Sequence, residues 1–264
     1  MTNNKYALIT GASGGIGKEM AIILFDHGYN LVLVSRRISA LQKVKNELLE
    51  INKDQTIEIF EADLSKKEAA QSLYQYTKIL DISIDVLINN AGSGMYGEIE
   101  GIDTEELYDM LMLNNYSLTC LCKLYSQDMI DKKSGYILNV ASLGAYQPVP
   151  YISAYAASKT YVLNFSEAIA MELKDYNVSV TCFSPGHTDT NFFKQASIPD
   201  SHQFYEKSTR EDPKNVAEDA IKSMFSKKLS VIHGFKNKFL GTLNKFCPRY
   251  ITAMISKSLV TRNN

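Results

Sequence analysis

The chain has 264 residues, 45% hydrophobic and 22% charged, a balance that excludes a disordered protein and suits a globular one. Its net charge of −1 hides two unlike parts: residues 220–264 hold nine Lys and Arg and no Asp or Glu, a charge of +9, so residues 1–219 carry −10. Apolar runs such as residues 21–25 and 31–34 fall far short of the ~18–20 residues of a membrane span, and the opening MTNNKYALIT has no basic region followed by a long apolar stretch. The expectation is a cytoplasmic protein.

Strands and helices alternate along the chain, the mark of a parallel sheet with crossover helices. Residues 6–10 read as a first strand. Residues 16–27 read as a helix, with Ile16, Met20, Ile23 and Leu24 at helical spacing and Gly28 as its stop. Residues 31–34, apolar throughout, read as a second strand covered on both faces. Ser39 is read as the cap of a helix running to about Ile51, residues 56–60 as a third strand, and Ser65 with Glu68 as the capping box of the next helix. Residues 84–88 make a fourth strand, and Thr104 caps one long helix toward Met129. Residues 136–140 make a fifth, a helix follows from Ser153 or Ala154 to Tyr176, and residues 178–183 make a sixth. Residues 186–211 are polar and irregular; Asp212-Pro213 opens another helix, and residues 229–232 read as a seventh strand. The predicted fold is one α/β domain, a doubly wound parallel sheet of about seven strands with helices on both faces. Residues 1–235 form its main body, and residues 236–264 extend it as a basic amphipathic helical segment. Cys120, Cys122, Cys182 and Cys247 have no disulfide or metal spacing and read as free thiols, so no metal site is expected.

The first strand runs into Thr10-Gly11-Ala12-Ser13-Gly14-Gly15-Ile16-Gly17 and then into a helix. A helix N-terminus offers unpaired N–H groups and a partial positive charge, which suits a pyrophosphate. Gly11 permits the tight turn, Gly15 lets the backbone approach the phosphates, and Gly17 allows close helix–strand packing, with Ser13, Gly14 and Ile16 completing the cradle. At the end of the second strand, where dinucleotide folds that prefer NAD carry an acid, stand Ser35, Arg36 and Arg37. Guanidinium groups bind phosphate through a planar fork of donors, so Arg36 and Arg37 favour NADP(H) with its 2′-phosphate.

Tyr155 and Lys159 are four apart and share a helical face. An ammonium beside a phenol stabilises the phenolate, so Lys159 is expected to lower the Tyr155 pKa. Ser142 follows the fifth strand, at the edge where open α/β sheets bind ligands. With the Thr10–Gly17 turn, Asp63-Leu64, Asn89-Asn90-Ala91-Gly92, Asn114 and Pro185-Gly186, this ordered set resembles the short-chain dehydrogenase/reductase family over roughly residues 5–190. Within that family it is similar to bacterial reductases of the 3-oxoacyl and DltE-like groups.

The resemblance implies a Rossmann fold and hydride transfer between NADP(H) and a carbonyl or alcohol. It implies that Tyr155 is the acid/base, that Lys159 tunes Tyr155 and binds the nicotinamide ribose, and that Ser142 holds the substrate oxygen. Asn114 would hold a water linking Lys159 to solvent; the neighbouring Asn115 is the alternative, although Leu113-Asn114 with Ser117 three on fits the family pattern better. Asp63 would contact the adenine beside Leu64, and Asn90, Ala91 and Gly92 would line the cofactor. Pro185, Gly186 and Thr188 or Thr190 would sit near the nicotinamide amide. It also implies a homodimer or homotetramer formed through the helices near residues 105–129 and 154–176. A catalytically idle NADP-binding scaffold is the other reading, and the intact Asn114, Ser142, Tyr155 and Lys159 set argues against it.

The substrate side is expected from Gly94, Met95 and Tyr96, from Leu143 to Tyr151, with Tyr146, Val149, Pro150 and Tyr151 as an apolar, aromatic wall, and from Phe192, Phe193, Phe204 and Tyr205. These residues predict a hydrophobic ketone or aldehyde, or its alcohol, as the small-molecule substrate. In the basic segment Phe239, Leu240, Leu243 and Phe246 share one face, and Ile251, Met254, Ile255 and Leu259 another, with a break near Pro248. Three readings stand for it: helices packed on the acidic body, a weak contact with an anionic membrane surface, or a clamp for a phosphorylated acyl carrier. No nucleic-acid-reading motif is present, so no nucleic-acid partner is expected.

Overall fold

The computed structural model describes residues 5–192, 196, 210–244 and 246–260, with residues 259 and 260 by backbone alone. Seven strands form one parallel sheet: β1 (Tyr6–Thr10), β2 (Asn30–Ser35), β3 (Ile57–Glu61), β4 (Ile84–Asn89), β5 (Gly135–Val140), β6 (Val178–Ser184) and β7 (Ser230–Ile232). Their order is β3-β2-β1-β4-β5-β6-β7, so the winding reverses between β1 and β4. Such a reversal opens a crevice at the carboxyl ends of the strands.

The helices are α1 (Gly15–Asp26), α2 (Ile38–Ile51), α3 (Ala69–Ile79), α4 (Thr104–Leu111), α5 (Leu118–Lys132), α6 (Ser153–Leu173), α7 (Pro213–Phe225), α8 (Phe235–Asn244) and α9 (Arg249–Val260). Two cores sandwich the sheet. On one face α1, α2 and α7 bury Met20, Leu24, Leu41, Val44, Val216 and Ile221; on the other α3, α5 and α6 bury Leu73, Leu121, Tyr125 and Val162. Each such aliphatic side chain contributes about 1.5–3 kcal/mol by leaving water. β2 explains its own unbroken apolar sequence, since both its faces are covered.

Helix starts differ from the sequence reading at three places. Ser39 lies inside α2, whose cap position is Arg37. Ser65 and Glu68 make no capping box, because residues 63–68 turn first: the Asp63 carboxylate accepts the Ser65 N–H at 3.1 Å, and α3 begins at Ala69. Asp103, not Thr104, caps α4 and accepts the N–H groups of Glu105 and Glu106. The long helix predicted from Thr104 is also interrupted. A π turn, Met112–Ser117, separates α4 from α5. Such turns insert one residue into a helix and gather at functional sites.

A buried polar chain ties α6 to the sheet. Asn89 Nδ2 donates to Asn139 Oδ1 at 2.9 Å and to the Cys122 sulfur at 3.3 Å; Asn139 Nδ2 donates to Ser166 Oγ at 2.9 Å. Removing the middle group strands donors that have already lost water. Asn139→Ala is expected to lower stability by about 2–4 kcal/mol in urea unfolding, against a few tenths for a surface Asn→Ala.

Candidate active site

The turn after β1 builds an anion cradle at the N-terminus of α1. Gly11 (φ 69°) and Gly15 (φ 55°) take left-handed backbone that a side chain would strain. Gly17 packs so tightly on the Gly11 carbonyl that any Cβ would collide with it. Space beside Gly14 is open, and no side chain caps the first turn of α1. Its N–H groups therefore face the crevice unclaimed by the fold, which suits a phosphate. Arg36 and Arg37, both exposed, stand on the same wall at the end of β2.

Thr10 fixes the far side of this cradle. Its hydroxyl donates to the Ile88 carbonyl at 3.2 Å and accepts the N–H groups of Asn90 and Ala91, both at 3.0 Å. The Asn90 amide returns a bond to the Thr10 carbonyl at 3.0 Å. The chain after β4 is thereby held against β1. Two residues on, Ser93 meets the π turn: its N–H donates to Asn114 Oδ1 at 3.0 Å, and its carbonyl accepts from Asn114 Nδ2 at 2.9 Å. Asn114 Nδ2 also donates to Ser158 Oγ at 3.0 Å. Asn115 instead donates to the Ser158 carbonyl at 2.9 Å. A Cβ on Gly92 would meet Asn114 Oδ1 at 3.2 Å and Lys159 Nζ at 3.3 Å, so it is Asn114 that reaches the same point as the lysine.

Ser142 extends from the end of β5. Its Oγ accepts the Gly144 N–H at 3.1 Å, which leaves its own proton to be donated. That proton reaches the phenol oxygen of Tyr155. Lys159 Nζ donates to the Val140 carbonyl at 2.9 Å and lies 6.0 Å from the Tyr155 ring centroid. Tyr155 and Lys159 are both buried, and burial opposes charge on each. It pushes Tyr155 up to about 12, with the Ser142 hydrogen bond pulling the other way. It pulls Lys159 down to about 8. The expected lowering of the Tyr155 pKa by Lys159 is thus corrected: desolvation raises the phenol, Ser142 is the group that opposes it, and Lys159 is committed to a backbone carbonyl. At neutral pH Tyr155 holds its proton and Lys159 is mainly charged. His187, also buried, is pulled down to about 4 and is neutral.

These groups meet in one cavity of about 720 Å³ that runs from the cradle of α1 to Ser142 and Tyr155. Of the described residues named singly from sequence for the catalytic, cofactor and substrate sides, all line it except Gly17, Asp63, Asn114 with its alternative Asn115, Tyr146, Pro150 and Tyr151. Gly17 and Asn114 act from behind the wall, through the contacts above. Asp63 is spent on the Ser65 turn, and its neighbour Leu64 takes the wall. Tyr146 turns inward to the core, its hydroxyl 3.5 Å from Ser184 Oγ. Tyr151 adopts a left-handed backbone (φ 66°) and stacks on Tyr96, ring centroids 6.1 Å apart. Leu143 and Val149, both expected there, supply the apolar wall together with Ile152. Phe192 sits 5.3 Å from the Tyr155 ring, in space that the bare Gly94 leaves for it. Asp189 points outward and pairs with Arg210 at 3.2 Å. Phe193, Phe204 and Tyr205 lie outside the described residues. Gln147, within the stretch 143–151 expected to face the pocket, lines the wall, whereas sequence reasoning missed Asn191 and Ser256. Asn191 sits in a loop beside nominated residues, while no local signal marks Ser256, which arrives from α9.

A profile described as short chain dehydrogenase matches residues 5–200. A very-long-chain 3-oxoacyl-CoA reductase of Coccidioides immitis (strain RS) is 36% identical over 179 residues, covering 66% of this chain and 51% of that protein. The chain therefore spans about half the length of that relative. Dehydrogenase/reductase SDR family member 7B of Mus musculus is 28% identical over 235 residues, covering 87% of this chain and 73% of that protein. Among solved structures, a short-chain dehydrogenase from Sphingobium yanoikuyae in complex with NADPH superposes with a TM-score of 0.82 at 25% identity, over 92% of this chain and 94% of that one.

The burial of Lys159 has a direct signature. In NMR of lysine side chains, one ammonium should titrate near pH 8, charged below and neutral above, and should vanish in Lys159→Arg. If every lysine titrates near the ordinary 10.5, the cation is solvated and the dry-pocket account fails.

Proposed function

This chain belongs to the short-chain dehydrogenase family, and from that premise we propose that it is an NADPH-dependent reductase interconverting a hydrophobic ketone or aldehyde and its alcohol. The observation that carries the reading is the convergence of Ser142, Tyr155 and Lys159 on a cavity continuous with the open N-terminus of α1.

The residues present fit NADPH. The unclaimed N–H groups of α1 suit the pyrophosphate, and Arg36 and Arg37 suit the 2′-phosphate. When bound, the cofactor supplies a hydride to the carbonyl carbon. The chain supplies the rest. Ser142, whose hydroxyl proton rests on the Tyr155 phenol, turns that proton to the substrate oxygen when it enters beside the phenol. Tyr155, kept protonated by burial, donates to that oxygen. Lys159, anchored on Val140, faces the resulting phenolate with a positive charge and can return a proton. Asn114, locked to Ser93, holds α6 at the right height through Ser158. The apolar wall of Met95, Leu143, Val149, Ile152 and Phe192 excludes water and accepts an alkyl chain. The Coccidioides relative, named for a 3-oxoacyl thioester, supports opening a substrate panel with that class. For assembly the proposal is a homodimer or homotetramer through α4, α5 and α6, where Leu111, Tyr116 and Tyr161 are exposed.

Two measurements test this. Tyr155→Phe should keep NADPH binding in fluorescence titration while lowering turnover about 10²–10⁴-fold; retained turnover refutes the acid role. Arg36→Ala with Arg37→Ala should raise the KM for NADPH about tenfold to hundredfold and leave that for NADH nearly unchanged. An equal effect on both cofactors would place the arginines away from the 2′-phosphate.

A further inference from the structure

We propose that α8 and α9 dock the protein on the surface of an anionic lipid bilayer, through an outer face of aromatic and aliphatic side chains set among basic ones. A helix on a water-facing surface buries its apolar stripe and offers its polar one to solvent. Both C-terminal helices do the reverse.

On α8 the residues turned toward the body are small or polar. Asn237 donates to the His233 carbonyl at 2.9 Å and fills the space beside Gly186. Gly241 is buried where a Cβ would reach Leu143 and Tyr146 at 3.7 Å. Asn244 donates to Gln147. Steps of four residues leave Phe235, Phe239 and Leu243 on the outside, Phe235 87% and Phe239 62% exposed. On α9, Thr252 and Ser256 are buried at 5% and 3%, and Ser256 reaches the cavity wall. Tyr250, Ile251, Met254 and Ile255 face out. The faces predicted from sequence are present in the described residues, but they point away from the body; Lys245 and the Leu259 side chain lie outside those residues. The polar inner faces hold the helices to the fold, so packing against the described residues does not account for the apolar outer ones.

Charge decides what covers them. Lys236, Lys238 and Arg249 are exposed on the same two helices and form no ion pair with a described residue. Residues 220–264 hold no Asp or Glu. A two-fold contact between copies would press together two stretches, residues 235–260 of each, that hold five Lys and Arg and no acid. An anionic bilayer offers both the counter-charge and an apolar boundary, each basic side chain at its surface strengthening binding about fivefold. No described helix is long and apolar enough to cross a membrane, so the contact lies in the plane of the interface.

The test is co-sedimentation of the full chain with vesicles of phosphatidylcholine, alone or mixed with phosphatidylglycerol. Pelleting with the mixed vesicles is expected. Binding should fall about tenfold or more in Phe239→Ser/Leu243→Ser and again in Lys236→Glu/Lys238→Glu, both melting as the wild type does. A protein left in the supernatant, or one captured equally by both vesicles or by the serine variant, overturns the proposal. So does a dimer, seen by ultracentrifugation, that the serine variant alone dissociates while no vesicle binds either form: that result assigns the face to a second copy.

Discussion

One hydroxyl holds the site in register. Thr10 ends β1 at the point where the sheet reverses, and its three hydrogen bonds join the two halves of the winding there. The consequences run outward by contact. Asn90 and Ala91 set Gly92; Ser93 sets Asn114; Asn114 sets Ser158 on the turn of α6 that carries Tyr155 and Lys159. Each link is a short polar bond buried between elements that apolar packing alone would leave free to slide. The hydrophobic cores give the sheet its two covered faces, but they do not specify position to a fraction of an ångström. The polar chain does.

The chemistry of the cavity follows from its dryness. Burial moves Tyr155 and Lys159 in opposite directions, up to about 12 and down to about 8. In water the two groups would titrate close together. Inside, the lysine gives up its proton first, so the phenol is the firmer holder of the pair. A phenol that releases its proton only to a substrate oxygen held beside it is suited to an acid that acts on demand. Ser142 moderates the shift, since its donated bond steadies the phenolate without adding charge to the pocket.

Much of this was legible in the chain. The glycine turn is readable because only glycine tolerates the backbone of Gly11 and Gly15, and the order of strands follows from alternating periodicity. What local pattern could not supply was direction. Tyr146 and Tyr151 have the right chemistry for a pocket wall, yet a core contact and a left-handed turn carry both away from it. Ser65 and Glu68 have the spacing of a capping box, but the Asp63 turn delays the helix. Periodicity likewise tells which residues of α8 and α9 share a face and is silent on where that face looks. Ser256 reaches a cavity whose other lining residues, the last of them Ala196, all come well before α9 in the chain, so only the tertiary path brings it near.

The π turn at Met112–Ser117 has a consequence for how this fold can change. It stores one surplus residue in an otherwise continuous helix, and each residue of an α-helix turns the faces beyond it by about 100°. Losing that residue would let α4 and α5 fuse into a regular rod, an outcome that local helix energetics favour. The rod would rotate Asn114 off Ser93 while every side chain of the cavity stayed in the sequence. Function here is guarded partly by a misfit, and a lineage that repaired the misfit would keep a well-formed protein with its reaction centre out of alignment.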